Sequence, residues 1–478
     1  MNPDPKVLES PNAVLSTLEK DGRRRWMQPV RSAGQSYRQR LVVGWSLIVL
    51  FVALPWIPIA GKPAVLLNVA AGEFTFFGLT LYPTDTLLLM LGLLAVFAGV
   101  VWATTLLGRV WCGWGCPQTV YMEFVFRPIE ALFEGNASAR RRRDKEGLTS
   151  NNTARKFGKW TAFTVFAAAI GHTFLAYFVG WEQLLTWLTS SPTQHWGAFV
   201  LMGATTAGML FDFGWFREQM CTIVCPYARL QSALQDRDSL IVSYDPSRGE
   251  PRGRRTRSSP LQLDDGAAQV TLGDCIDCGA CVRTCPTGID IRDGNQMECI
   301  ACVQCADACD AIMDKVGTPR GLVRYTSKNA VEGRPAKIAR PRLFIYTGIC
   351  AILATAFVVA VVVRTPLKIG VTRAADAPFT VLHDGRVANR LKFRVRNRAA
   401  GGVFTLQVIE PPGAELKILG DPDLTLASGQ QKRLEAWVIV PPESVQSGRG
   451  RGVFRVDGAG LSESIDYTLL GPQGVLKK

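Results

Sequence analysis

The sequence predicts a multi-domain membrane protein: an α-helical transmembrane bundle of five spans, a cysteine-rich insert, and a C-terminal all-β, immunoglobulin-like sandwich. Three observations indicate this fold class. They are five long apolar stretches, twelve of the thirteen cysteines in three tight groups, and short alternating segments after residue 363. Hydrophobic residues make up 47% of the 478 residues and charged residues only 20%, which favours a membrane protein over a soluble one.

Each apolar stretch has the roughly 20 residues that a helix needs to cross a bilayer. Because almost no charge lies inside them, buried helices of a soluble protein are the less favoured alternative. A sixth apolar segment, residues 63–82, is interrupted by Glu73 and two glycines, and we interpret it as an interfacial or re-entrant loop. The predicted spans are residues 41–60, 86–107, 160–180, 196–215 and 343–363.

Lysine and arginine residues alternate along the segments that separate the spans. Residues 1–40 contain eight, the next segment one, the third ten, the fourth none, and the segment before the last span eighteen. The positive-inside rule therefore predicts a multi-pass protein with the N-terminus and the cysteine-rich insert in the cytoplasm and the C-terminal domain on the opposite side of the membrane. No cleavable signal peptide is expected, because the first 40 residues are polar and basic.

The insert contains two copies of one cysteine motif, C-x2-C-x2-C-x3-C. The first copy is followed by Pro286, whereas Asp310 takes that place in the second. Three closely spaced thiolates surround one [4Fe–4S] cube and the fourth cysteine reaches the cube of the other copy, while two zinc sites are the less favoured alternative. The predicted ligands are Cys275, Cys278, Cys281 and Cys309 for cluster A, and Cys299, Cys302, Cys305 and Cys285 for cluster B.

Two further cysteine pairs, each C-x3-C-P, follow the second and fourth spans. They are Cys112 with Cys116, and Cys221 with Cys225, and their repetition indicates an internal duplication of two helical hairpins. Where the chain is helical, this spacing puts both sulfurs on one face. Three functional interpretations stay open: a site for a soft metal such as Cu(I), a further iron–sulfur centre, or a dithiol relay. Binding of a soft metal is favoured over the other two interpretations and over buried structural cysteines.

Residues inside the spans are weaker candidates. His172 in the third span indicates either a contact with a quinone or metal, or a hydrogen-bonded helix contact. Asp212 lies two to three turns before Cys221, where a carboxylate is placed to tune or protonate that site. Cys350 stands alone in the fifth span and is expected to be a small buried hydrophobe.

After the last span, apolar and polar residues alternate in short runs. Leu391, Phe393 and Val395 alternate with Lys392 and Arg394, and turns rich in proline and glycine separate this run from the next. The pattern predicts an antiparallel sandwich of the immunoglobulin type. Because it contains no cysteine, we expect it to dock a partner rather than to hold a redox metal.

The predicted domain organisation follows from these segments. A basic linker rich in Arg, Gly and Ser precedes the cluster motifs and is expected to be a flexible tether near anionic lipid, not a nucleic-acid site. The domains are a cytoplasmic N-terminal segment (1–40), a four-span region with both C-x3-C-P pairs (41–245), the flexible linker (246–272), the bis-[4Fe–4S] ferredoxin domain (273–318), a cytoplasmic linker (319–342), the fifth span (343–363) and the sandwich (366–478).

In this order the parts resemble the cytochrome c oxidase accessory proteins of the CcoG/FixG/RdxA family. The resemblance rests on W-C-G-W-G-C-P at 111–117, C-T-I-V-C-P-Y-A-R at 221–229, the ferredoxin cysteines and the terminal sandwich, and it covers nearly the whole chain. It implies an assembly factor for cbb3-type oxidase that reduces Cu(II) to Cu(I) in the cytoplasm, located in the bacterial inner membrane with its C-terminal domain in the periplasm. The four cysteines of the C-x3-C-P pairs would then be the copper or redox site, and the clusters would supply the electron.

The resemblance also implies partners. These are a cytoplasmic or quinol electron donor, and oxidase subunits or copper-handling proteins, together with membrane lipid; a homo-oligomer is compatible with the sequence. Two rival functions stay open. One is a quinol-linked electron conduit to another redox partner, similar to the membrane-bound ferredoxins of the periplasmic nitrate reductase system. The other is a non-catalytic scaffold for oxidase assembly.

Overall fold

The computed structural model consists of two compact units, Met1–Phe357 and Val358–Lys478, and the boundary between them falls inside the last apolar helix. Most of the predicted flexible linker, residues 254–271, lies outside the described residues. The structure describes residues 16–18, 21, 23–59, 61–83, 85–146, 149–253, 272–337, 339–375, 377–399, 401–427, 429–445 and 447–473.

Among the described residues, five helices are long and apolar enough to cross a membrane, as the sequence predicts. The third begins earlier than predicted, because the polar residues from Ser150 to Lys159 continue the same helix. Many of their apolar side chains, such as Leu93, point away from the protein, as expected for helices that face lipid. The five helices are Gln35–Trp56, Thr86–Leu107, Ser150–Val179, Trp196–Phe216 and Pro341–Val362.

The first unit is mainly helical. Its α-helices are α1 (Gln35–Ala53), α2 (Thr86–Leu107), α3 (Val110–Trp114), α4 (Pro117–Tyr121), α5 (Arg127–Glu134), α6 (Ala137–Glu146), α7 (Ser150–Val179), α8 (Trp181–Thr189), α9 (Trp196–Phe211), α10 (Pro226–Leu234), α11 (Pro246–Gly249), α12 (Ala280–Thr284), α13 (Gln304–Val316), α14 (Lys328–Val331) and α15 (Pro341–Val362). Its strands are β1 (Pro58–Ile59), β2 (Lys62–Pro63), β3 (Val65–Asn68), β4 (Glu73–Phe76), β5 (Leu79–Leu81), β6 (Ile241–Tyr244) and β7 (Val323–Thr326). In the described part of this unit, π-helical turns occur at Met122–Phe126, Asp212–Phe216 and Met220–Val224.

Residues 63–82 differ from the predicted loop, because β3, β4 and β5 form a three-stranded antiparallel sheet. Thr75 in its central strand is fully buried and its hydroxyl lies 3.0 Å from that of Thr80. The charge of Glu73, which was interpreted as an interruption, is neutralised by Lys62, whose Nζ lies 2.8 Å from the carboxylate.

The cysteine-rich insert is closed at its base by a two-stranded ribbon. Strand β6 pairs antiparallel with β7 in the register Ile241↔Thr326 to Tyr244↔Val323. A buried core that includes Val242, Met313 and Leu322 lies beside the ribbon. The ribbon therefore fixes both ends of the insert relative to the helices that precede and follow it.

The second unit is a sandwich of two antiparallel sheets, as predicted. One sheet has the order β12-β14-β10-β8, with β9 paired to β10, and the other has the order β13-β11-β15-β16. Phe393 and Phe454 meet edge to face between them, with ring centroids 4.9 Å apart. The strands are β8 (Leu367–Arg373), β9 (Thr380–Val381), β10 (Val387–Asn397), β11 (Gly402–Glu410), β12 (Glu415–Leu419), β13 (Leu424–Leu426), β14 (Gln431–Val440), β15 (Ser447–Gly458) and β16 (Leu461–Gln473).

Candidate iron–sulfur clusters and four-thiol site

The two cluster motifs fold into the same kind of loop. In each, the residues on both sides of the middle cysteine have positive φ: Asp277 and Gly279 beside Cys278, and Ala301 and Val303 beside Cys302. Three of these four residues are not glycine, and such a backbone conformation costs about 1–3 kcal/mol each and persists only where the surrounding structure enforces it. When residues with positive φ alternate with residues with negative φ, successive backbone N–H groups point inward. They form the concave anion site found around many iron–sulfur centres.

The last cysteine of each motif lies beside the other motif. The thiol of Cys309 interacts electrostatically with Cys275, Cys278 and Cys281. This is the grouping that cluster A requires, because the fourth thiolate in such paired motifs belongs to the neighbouring cube.

Cluster B has the corresponding arrangement. Cys285 interacts electrostatically with Cys299, Cys302 and Cys305, and all four thiols line one cavity whose other walls are largely apolar. Burial raises the pKa of Cys299 to about 11 and that of Cys302 to about 12. The donor set, the cavity and the inward N–H groups fit a [4Fe–4S] cluster, whose binding would displace the thiol protons.

The two C-x3-C-P pairs share one backbone conformation, and it differs from the predicted helical pair. The N–H of Cys116 donates to the carbonyl of Trp111 at 2.9 Å, and the N–H of Cys225 donates to the carbonyl of Met220 at 2.8 Å. Each bond spans five residues, one more than in an α-helix. Both second cysteines are extended, and the proline after each begins a new helix, α4 or α10.

The four cysteines of these pairs converge, and we call them the four-thiol site. Cys112, Cys116 and Cys225 all lie close enough to Cys221 to interact with it electrostatically. Burial raises the pKa of Cys112, Cys116 and Cys221. Within the described part of the chain, no three His, Cys, Asp or Glu side chains already stand at the spacing that holds a single metal ion. A cube keeps its four ligands farther apart than one ion does, so this finding concerns mononuclear sites.

Polar groups that sequence reasoning did not single out surround Cys112, which is 8% exposed. Its thiol lies 3.2 Å from Oε1 of Gln231, which also accepts a hydrogen bond from Nε of Arg109 at 3.1 Å. Arg109 in turn donates to the carbonyl of Met297, just before the cluster B loop. One arginine thus joins the four-thiol site to the ferredoxin insert.

The four-thiol site is packed directly against the cluster B loop. A Cβ on Gly113 would lie 2.6 Å from the carbonyl oxygen of Ile300 and 2.9 Å from the backbone nitrogen of Cys302, so only glycine fits there without a shift. Nearby, Nε1 of Trp114 donates to the hydroxyl of Tyr325 at 2.8 Å, and that hydroxyl donates to the carbonyl of Ala301 at 2.6 Å. Trp114 therefore fastens the two loops together through Tyr325.

A network of buried ion pairs lies beside the site. Glu130 contacts Arg217 at 2.5 Å and Arg140 at 2.6 Å, and Glu218 contacts Arg127 at 2.8 Å. Burial alone would raise the pKa of Glu130, but the charges of Arg217 and Arg140 outweigh it and lower the pKa below its ordinary value.

Of the remaining candidates, Asp212 interacts electrostatically with Cys116, and His172 and Cys350 lie in the third and fifth spans. His172 hydrogen-bonds through Nδ1 to the carbonyl of Ala168 at 2.7 Å, one turn back in its own helix. Asp212 accepts a hydrogen bond at 3.1 Å from Gln118, two residues beyond Cys116. Cys350 is half-buried in the fifth span.

Comparison with known proteins agrees with this architecture. Residues 216–328 match the family model of a 4Fe-4S dicluster domain, residues 89–140 that of a 4Fe-4S binding domain, and residues 357–472 that of an IG-like fold at the C-terminus of FixG. The fold and the sites define a membrane-bound iron–sulfur electron-transfer protein of the bis-[4Fe–4S] ferredoxin type.

Three relatives identify the family. The chain is 36% identical to Protein RdxB of Cereibacter sphaeroides over 82% of its length and 83% of the relative, and 35% identical to Protein RdxA of the same organism over 74% and 76%. It is 30% identical to Nitrogen fixation protein FixG of Rhizobium meliloti over 88% of its length and 85% of the relative. The chain belongs to the FixG/RdxA family.

Proposed function

We propose that this protein transfers single electrons from its clusters to Cu(II) at the four-thiol site and supplies the resulting Cu(I) for maturation of a cbb3-type cytochrome c oxidase. The observation that carries the proposal is the contact between Gly113 and Cys302, because it joins the site to the cluster B loop with no residue between them. The family resemblance supports copper as the substrate and the oxidase as the destination.

The residues of the site have suitable chemistry for this substrate. Thiolates are soft ligands and stabilise Cu(I), which favours reduction of bound Cu(II). Because burial raises the pKa of Cys112, Cys116 and Cys221, these thiols carry protons at neutral pH and must release them when copper binds. When bound, the clusters supply one electron at a time. Each Cu(II) reduced to Cu(I) consumes one electron, which a cytoplasmic or quinol donor must replace.

The proposal includes an orientation. The alternation of Lys and Arg along the sequence supports cytoplasmic clusters and a cytoplasmic four-thiol site. Copper would then be reduced on the cytoplasmic side, and the sandwich would contact oxidase subunits or copper-handling proteins in the periplasm.

The direct test measures Cu(I) formation by the anaerobically purified protein with a colorimetric Cu(I) chelator. A variant with Cys112→Ala and Cys116→Ala should lose turnover and keep the visible spectrum of both clusters. Cys350→Ala is the matched control, because this cysteine lies in the fifth span outside all three cysteine sites, and it should keep full turnover. Undiminished turnover in the double variant would refute the assignment of the copper site.

A second candidate function is an electron conduit in which the four-thiol site holds a third [4Fe–4S] cluster. It is favoured by the match of residues 89–140 to a 4Fe-4S binding domain, because that segment contains only Cys112 and Cys116. A cube needs four ligands, and Cys221 and Cys225 would complete the set.

Iron and acid-labile sulfide counts separate the two candidates. Two cubes correspond to roughly eight iron atoms per chain and three to roughly twelve. If the conduit is correct, the double variant at Cys112 and Cys116 loses about a third of its iron. If the copper proposal is correct, the iron content of that variant stays unchanged.

A further inference from the structure

Among the described residues, Arg40 is buried with no anionic partner for its charge. Arg40, near the start of α1, is 0% exposed, and its Nε donates to the carbonyl of Gly113 at 2.9 Å. Its two terminal nitrogens have no hydrogen-bond partner among the described residues. A buried guanidinium without an anion is strongly destabilising, so this position is expected to have one in the working protein.

The other buried arginines show that this is unusual. Six arginines are buried in the described part of the chain, and four of them form ion pairs with carboxylates. The exceptions are Arg40 and Arg109, neither of which lies within an ion-pair distance of a described carboxylate. Arg109 is 5% exposed.

Both exceptions adjoin the ligands of cluster B. Arg40 interacts electrostatically with Cys302 and Arg109 with Cys299, and each lowers the thiol pKa against the larger effect of burial. The carbonyl that Arg40 holds belongs to Gly113, whose backbone packs on Cys302. The two cations therefore lie on the side of cluster B that faces the four-thiol site.

The surroundings of cluster A differ in charge. Burial raises the pKa of Cys281 and Cys309, and the carboxylates of Asp290 and Asp310 add to this increase, whereas Arg292 lowers the pKa of Cys281 by more than Asp290 raises it. The nearby cation, Arg292, is already paired, with Asp290 at 2.7 Å and with Asp277 at 2.5 Å. Among the described residues, cluster A thus has carboxylates and an ion-paired arginine near it, whereas cluster B has two cations without a carboxylate partner.

We propose that Arg40, with Arg109 beside it, is the counter-ion of cluster B and raises the reduction potential of that cluster above that of cluster A. A [4Fe–4S] cube with four thiolates is an anion and gains a further negative charge on reduction, so a buried cation favours the reduced form. Electrons entering at cluster A then collect at cluster B, next to the four-thiol site. The inference rests on the cluster ligands and is independent of copper as the acceptor.

The test is a redox titration of the complete, cluster-loaded protein in detergent, monitored by EPR, with iron and sulfide counts for each variant. Arg40→Gln removes the charge and keeps a donor for the Gly113 carbonyl, and Arg40→Lys is the matched control that keeps the charge. We expect Arg40→Gln to shift one of the two midpoint potentials downward. The ratio of reduced to oxidised cluster at a fixed potential should fall at least tenfold, which is about 59 mV for one electron. The other midpoint should stay in place, and Arg40→Lys should leave both near the wild-type values.

Unchanged midpoints in a fully loaded Arg40→Gln protein would overturn the proposal, because a purely structural hydrogen bond to Gly113 predicts that result. If this variant does not assemble its clusters, Arg109→Gln is judged by the same criterion. Cu(I) formation is measured separately, so a protein that reduces no copper and still shows the shift would refute the proposed function and leave this inference standing.

Discussion

Replacing Gly113 by alanine should separate the four-thiol site from cluster B without removing a ligand of either. The added Cβ would lie 2.6 Å from the carbonyl oxygen of Ile300, whereas ordinary contacts begin at 3.4 Å, so the two loops must move apart by about 0.8 Å. The obstructing atoms belong to the backbone of Ile300 and Cys302, so no side-chain rotation can relieve the clash. Such overpacking costs about 1–3 kcal/mol, which corresponds to roughly a 5- to 150-fold change in the equilibrium between the packed and separated loops.

The assay reduces the clusters chemically under anaerobic conditions and follows their reoxidation after mixing with Cu(II) by stopped-flow absorbance. Gly113→Ala should slow this reoxidation by about an order of magnitude or more, with unchanged iron content. Gly99→Ala in α2 is the matched control, because a Cβ there meets nothing within 4 Å, and its reoxidation should match that of the wild type. A wild-type rate in Gly113→Ala would show that electrons do not pass through this contact.

Two further predictions concern stability. Glu130→Gln leaves the buried Arg140 without its carboxylate and Arg217 with only the carboxylate of Glu218 at 3.6 Å, and it should destabilise the first unit by about 3–5 kcal/mol in chemical denaturation. Because the pKa of Glu130 is lowered in the folded protein, its contribution to the free energy of unfolding is complete above the ordinary glutamate pKa and is lost as the pH falls through the lowered value. Glu130→Gln should therefore flatten the curve of stability against pH in that acidic range. An unchanged curve would contradict the assignment of a lowered pKa to Glu130. In the sandwich, Phe393→Ala removes the edge-to-face contact with Phe454 and should cost about 3–5 kcal/mol, seen as earlier thermal loss of β-sheet circular dichroism with the cluster spectrum intact.

Local patterns predicted those parts of the fold that depend on neighbouring residues. The alternation in β10 is confirmed, since Leu391, Phe393 and Val395 are buried and Lys392 and Arg394 are exposed. The spans followed from length and hydropathy alone. In both cases the environment of a residue repeats with the period of its own element, so spacing along the chain is sufficient.

Long-range contacts could not be predicted in this way. Arg40 was counted only as one of the positive charges of the N-terminal segment, yet it is fully buried against Gly113 and cluster B. Its neighbours Gly113 and Cys302 are more than 70 and more than 250 positions away in the sequence. A periodic pattern within one element cannot predict contacts between residues so far apart. The contact between the C-x3-C-P loop and the cluster B loop was missed for the same reason, although the glycine at position 113 between the two cysteines was a signal that the backbone is approached closely.

The two copies of the C-x3-C-P motif also share a backbone conformation before their first cysteine, but they adopt it with different residues. Four residues before the first cysteine of each pair, the chain takes the same rare conformation: Gly108 has φ 59° and ψ −128°, and Arg217 has φ 54° and ψ −120°. Glycine adopts this conformation without strain, whereas a side chain there costs about 1–3 kcal/mol. Arg217 offsets that cost through its buried ion pair with Glu130. One copy thus reaches the turn through glycine alone, and the other combines the turn with the charge network beside Cys221.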